Sequence, residues 1–297
     1  MNEIYIFNVA KLAVKSIINT ASAYPKPGLI TPLDNDALDG TDWPCFVDGA
    51  MSLFQCYVNC ASAGGDTQSL NPEDALMVLH SPAQIGINDV LRSTRGKLSL
   101  KGYVFALGLL SAAAGKLIAQ RRILTPAALA LTASAYVSGI CARELYTLDP
   151  EGRRVFTPGE KAYISYGIEG IRGEAEHGFR LALRAAELFR KLTATQGQMT
   201  FREKCIHMLI DIMSVNDDTC LASHGGISEL MRVQEEAGEI LKLGGMITAE
   251  GTEAVFAVDK NIRSRGASPR GSAVIVSAAL FILELCNMKL TRSGYDE

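Results

Sequence analysis

Residues 24–43, YPKPGLITPLDNDALDGTDW, separate two helical runs and decide how the chain can fold. Pro25, Pro27 and Pro32 lack an amide donor and fix φ, so no helix passes through this stretch. Lys26 stands between two prolines, and Asp34, Asp36, Asp39 and Asp42 follow within nine residues. Leu29, Ile30, Leu33, Leu38 and Trp43 supply apolar anchors, which predicts an ordered loop. A break of this length inside a compact domain calls for a function. Its acidic end can hold a hard cation through carboxylate oxygens, or its aspartates can cap neighbouring helices.

Outward from this loop the apolar residues recur at helical spacing. Ile6, Val9, Ala10, Ala13, Val14, Ile17 and Ile18 share one face of a helix predicted over 4–23. A second is predicted over 46–63, before Gly64 and Gly65. Asn71-Pro72-Glu73 marks a third start, with Ser81-Pro82 breaking its pattern. A small-residue helix over 102–119 allows close neighbours. Further helices are predicted from Thr125-Pro126 to about residue 146, from Thr157-Pro158, and over 173–192, 200–213, 227–243, 248–262 and 272–288. No run of β-branched alternation has a hairpin turn beside it. The expected fold is all-α, one domain of roughly ten helices over residues 1–297, with no repeat and no linker.

Hydrophobic residues make up 48% and charged residues 21%, ample for a buried core. The net charge is −3 without a basic block, which argues against a nucleic-acid partner. Seven cysteines, an odd number without a C-x-x-C pair, point to a reducing, cytoplasmic compartment rather than to disulfides or zinc. The N-terminal residues lack a basic n-region and a cleavage site. No apolar run is expected to span a membrane; the longest, 272–285, is too short.

Five polar, glycine-containing breaks interrupt the helices. After the aspartate loop comes 92–102, RSTRGKLSLKG, with four basic residues just before a helix start, where free amides suit an anion. The third, 171–179, holds Arg172, Glu174, Glu176 and His177. The fourth carries Asp217 and Asp218, which can share a cation or cap a helix, then His224-Gly225-Gly226. The fifth, 263–272, RSRGASPRGS, has the composition of an anion nest or of an ordinary turn. Acidic and basic breaks alternating around an apolar scaffold fit a buried polyphosphate with Mg²⁺. Of the four histidines, His80 reads as a surface helix end and His207 as a satisfied core residue. His177 and His224 are the two to carry forward.

In this order the breaks resemble the triphosphoribosyl-dephospho-CoA synthase family. The resemblance is carried by Pro25-Lys26-Pro27-Gly28-Leu29, by Lys101-Gly102 with the run Phe105 to Leu110, and by Arg172-Gly173-Glu174-Ala175 with Gly178-Phe179. Asp218-Thr219 with Gly225-Gly226, and Ser268-Pro269 with Gly271-Ser272-Ala273, complete it. It implies an all-α transferase that moves the triphosphoribosyl group of ATP onto the 2′-hydroxyl of a dephospho-CoA-like acceptor and releases adenine. Small-molecule substrates are implied, not nucleic acid or membrane, and a homo-oligomer is compatible with it.

The resemblance implies phosphate contacts from Lys26, Lys101, Arg172, Ser268, Arg270, Gly271 and Ser272. It implies Mg²⁺ on Asp34, Asp217 and Asp218, and catalytic carboxylates at Glu174 and Asp42. The chain also departs from the family pattern. Leu38, Leu100, Cys220, His224, Arg270 and Val274 stand where that pattern has His, His, Asn, Arg, Gly and Asp. The replaced groups are mainly ones that bind metal or move protons, so a non-catalytic paralogue that binds a nucleotide or a CoA-like ligand is the alternative.

Overall fold

A computed structural model describes residues 3–33, 41–148 and 155–288, which form fourteen α-helices, one 3-10 turn and no strand. The chain runs α1 (Glu3–Ala21), α2 (Trp43–Ser52), α3 (Phe54–Asp66), α4 (Pro72–Ser93), α5 (Lys101–Ala119), α6 (Pro126–Tyr136) and α7 (Ile140–Glu144). It continues with α8 (Pro158–Tyr166), α9 (Gly170–Glu176), α10 (Arg180–Thr195), α11 (Phe201–Met213), α12 (Thr219–Lys242), α13 (Ala249–Ser264) and α14 (Arg270–Asn287). The all-α expectation holds.

The starts are those the sequence signals. Asn71, Thr125, Thr157 and Thr200 each accept a bond from the backbone three residues on, and Glu160 and Glu203 complete capping boxes. The count exceeds ten because three expected helices are split. Leu53 separates α2 from α3, Gly139 in the left-handed region separates α6 from α7, and Gly178 with Phe179 separates α9 from α10. Phe179 adopts φ 55°, a conformation that costs a non-glycine residue about 1–2 kcal/mol. Its ring is fully buried, which offsets that cost.

Two expected breaks are instead helix. The α4 helix continues through Pro82, although an interior proline costs about 3 kcal/mol. Ala75, Leu79, Gly86 and Val90 are buried along α4, and that burial holds the helix together across the proline. Likewise α12 begins at Thr219 and bends at Gly226.

The core is built around α5 and α14. Their lengths and apolar character would suffice to cross a membrane, contrary to the sequence expectation. However, 78% and 72% of these segments lie buried within the fold. Helix α5 packs on α3 at backbone distance: a methyl on Gly64 would overlap the Ala112 carbonyl, and one on Gly115 would overlap that of Ala61. All seven cysteines are free thiols, four of them buried.

Candidate active site

The five breaks, far apart in sequence, meet around one cavity of about 610 Å³. Lys26, Gly28, Leu29, Ile30 and Thr41 come from the first break and Leu98 to Lys101 from the second. Gly170 to Arg172 come from the third, Asn216 to Cys220 from the fourth, and Ser268, Arg270 and Gly271 from the fifth. Helices α5, α8, α9, α12 and α14 all begin on this cavity. Helix starts turn free amides and the positive end of the dipole toward it. A second wall is apolar, with Leu76, Leu79, Ala83 and Ile87 from α4 and Phe105 and Leu109 from α5.

The first loop is clamped from behind by α13 and the fifth break, through Asp259, which the sequence did not single out, and through Arg263 and Ser268. Gly28 N–H donates to Asp259 (2.8 Å), which also accepts from Arg263 (2.8 Å). Arg263 donates to the Leu29 carbonyl (2.7 Å) and Ser268 Oγ to the Gly28 carbonyl (2.7 Å). Gly28 has φ 65° and sits 2.8 Å, measured from where a Cβ would stand, from the Ala267 carbonyl, so a side chain fits neither conformation nor space. Lys26 lines the cavity, yet its buried ammonium donates to the carbonyls of Thr20 (3.1 Å) and Ala21 (2.8 Å) at the end of α1. A cation at a helix C-terminus is favourable there.

Asp218 is fully buried and serves two helix starts. It accepts from Cys220 N–H (3.0 Å) in α12 and from Ser272 N–H (2.7 Å), Ser272 Oγ (3.0 Å) and Gly271 N–H in α14. Burial pushes its carboxyl upward, and these bonds oppose that rise. The anion expected at the start of α14 is thus Asp218 itself. Ser272, fully buried and also bonded by Asn216 (3.0 Å), faces that carboxylate rather than the cavity. Gly271 is required because a Cβ would stand 2.9 Å from Asp218 Oδ1.

The two carboxylates expected to be catalytic stand off the cavity lining. Asp42 caps α2 through Cys45 N–H (2.8 Å). Glu174 accepts from Ala182 N–H (3.0 Å) near the start of α10. Burial raises its carboxyl, opposed by the bonds from Ala182 and Leu181. Both placements give the carboxylates a helix-capping role. Arg172 does line the cavity, with its Nε on Glu144 (2.7 Å).

Asp34 lies outside the described residues. Among the described residues no group of three or more His, Cys, Asp or Glu side chains could hold a metal. Asp218 has its acceptors filled by amides and a hydroxyl. Asp217 is exposed on the cavity, with Gln234 at 3.4 Å. One such carboxylate fits a Mg²⁺ that arrives with substrate phosphates, the usual mode for this ion.

Lys101 and His80 stand out for what they lack. Lys101 is the first residue of α5, whose preceding residue, Leu100, makes no side-chain cap. Among the described residues its ammonium makes no hydrogen bond or ion pair. His80 also lines the cavity without any such partner, because α4 runs through Pro82 and carries it there. The sequence reading put His80 at a surface helix end; it is exposed as expected, but it stands within α4 rather than at its end, on the rim of the cavity. The histidines carried forward lie elsewhere: His177 faces Glu169 (3.7 Å), and His224 approaches Gly266. His207 accepts from Met246 N–H (3.2 Å) in the core, as expected.

No solved structure matches the chain at a significant level. The 2-(5''-triphosphoribosyl)-3'-dephosphocoenzyme-A synthase of Klebsiella pneumoniae is 30% identical over 275 residues, covering 92% of this chain and 89% of the relative. The probable synthase of Citrobacter koseri is 29% identical over 276 residues, covering 93% and 90%. The family model described as ATP:dephospho-CoA triphosphoribosyl transferase matches residues 6–292. With the ordered motifs gathered on one cavity, the chain therefore belongs to the ATP:dephospho-CoA triphosphoribosyl transferase family.

Proposed function

We propose that this protein transfers the triphosphoribosyl group of ATP to the 2′-hydroxyl of a dephospho-CoA-type acceptor and releases adenine, in the cytoplasm. The observation that carries this reading is the start of α5. It opens on the cavity without a capping side chain, and the unpaired Lys101 stands at its first position. Helices α8 and α12 have side-chain caps, and the amides of α14 are taken by Asp218. The amides of α5 and of the seven-residue α9, likewise without a side-chain cap, are left for a ligand anion; of the two, α5 starts with the unpaired cation, and a triphosphate supplies the charge. Arg270 on the facing α14 adds a planar fork of donors. Asp217 is the carboxylate that would meet Mg²⁺ carried by the triphosphate; the ion would supply charge neutralisation. Displacement at C1′ of ATP develops oxocarbenium character on the ribose, so the site must hold the phosphates still while the C1′–N9 bond opens.

The test is direct. Incubated with ATP, Mg²⁺ and dephospho-CoA, the protein should release adenine, followed by chromatography. Lys101→Met should weaken ATP binding about tenfold or more and flatten its dependence on salt, as loss of a screened charge contact requires. ATP bound without adenine release would assign the chain to a binding role instead.

A further inference from the structure

Resting on that reading, we infer that His80 is the general base that takes the proton from the acceptor hydroxyl. Transfer breaks the acceptor O–H bond and the C1′–N9 bond of ATP, and forms the bond from acceptor oxygen to C1′. The C1′–N9 electron pair leaves with adenine, and the hydroxyl proton must go to a group on the cavity wall.

The acidic and basic groups on that wall are mostly committed. Asp218 accepts four bonds from two helix starts. Glu144 is paired with Arg172 at 2.7 Å. The Cys60 thiol is buried and pushed well up, with its hydrogen bond to Cys56 the largest cause and burial next. Lys26 is turned to the end of α1. Asp217, with Gln234 beside it, is the carboxylate assigned to the cation. Glu174 and Asp42 are absent from the lining.

His80 is the lining imidazole, and both its nitrogens are without a partner among the described residues. It stands on α4 between Leu79 and Ala83, on the apolar wall rather than among the cations. That wall suits the flat, uncharged base of the acceptor's adenosine end, and the adjoining ribose, which carries the reacting hydroxyl, would then lie on the α4 side. An imidazole changes charge between pH 5 and 8, the range a base for this step needs.

The experiment compares wild type, His80→Gln and His80→Ala by adenine release. His80→Gln should lower kcat at least about 100-fold. KM for ATP should stay within about twofold, since the residue does not touch the triphosphate. The acid limb of the wild-type rate profile should vanish in the variant, and imidazole added to His80→Ala should restore part of the rate. Calorimetry with ATP alone checks that both variants still bind nucleotide. An active wild type with His80→Gln at a similar kcat and the same acid limb overturns this assignment alone. A wild type that releases no adenine overturns the transferase reading and this assignment with it.

Discussion

Asp218 is a carboxylate surrounded by donors, and that surrounding sets what its loss should do. Asp218→Asn puts an amide N–H₂ among four donors and leaves some unsatisfied, at about 1–3 kcal/mol each when buried. The melting temperature without nucleotide or Mg²⁺ should therefore drop clearly. An unchanged melt together with weaker ATP binding in Mg²⁺ would make Asp218 a metal ligand after all. His207 gives a pH signature. Burial lowers its pKa below the ordinary 6.5, with Asp211 opposing. Between the lowered folded value and 6.5 the unfolded chain binds more protons, so stability falls as pH falls through that window. Protonation would also cost the bond from Met246 N–H. Melts taken from about pH 7.5 to about pH 5.5 should show this loss, and His207→Gln should flatten it. Equal slopes in the two proteins would exclude His207 as the source.

At the scale of elements, the contact between α3 and α5 holds the cavity wall in place. Gly64 and Gly115 let the two backbones touch, so a methyl has nowhere to go. Gly115→Ala should destabilise by about 3 kcal/mol, since backbone cannot yield as a side chain does. Gly108→Ala on the same helix is the control. Its methyl would meet only Cys60 Sγ at 3.5 Å, and removal of a helix glycine gains about 0.5–1 kcal/mol. Urea titration of both variants separates the two cases. Similar midpoints would mean that α3 and α5 part more easily than their packing indicates.

For the whole molecule, the cavity is assembled from helix starts spread from α5 to α14. A ligand held there should stabilise the fold globally rather than one loop. At ATP about 100-fold above Kd the gain is about 2.7 kcal/mol. For a chain of this size that corresponds to a rise of roughly 4 °C in Tm. Inorganic triphosphate should reproduce part of the shift if the α5 start holds phosphate. A shift with adenosine but none with triphosphate would place the anion elsewhere.

The sequence alone determined the helical class, the capped starts of α4, α6, α8 and α11 and the five breaks, because these are local matters. Asn71-Pro72, Thr125-Pro126 and the two Thr-x-x-Glu boxes act within one turn, and apolar spacing reports a buried face wherever the partner lies. Lys101 and Asp217 were legible as candidates for the same reason. Only the tertiary structure decided which polar groups face the cavity. Asp42 and Glu174 read as catalytic, but their nearest donors are backbone amides, and a carboxylate satisfies those first. Ser272 read as a phosphate contact, but Asp218 arrives from 54 residues away to take its donors. His80 read as a helix end because Pro82 ends most helices; it is exposed as expected, but burial along α4 carried the helix past it. Local signals fix where a helix begins, while long-range packing fixes what that beginning points at.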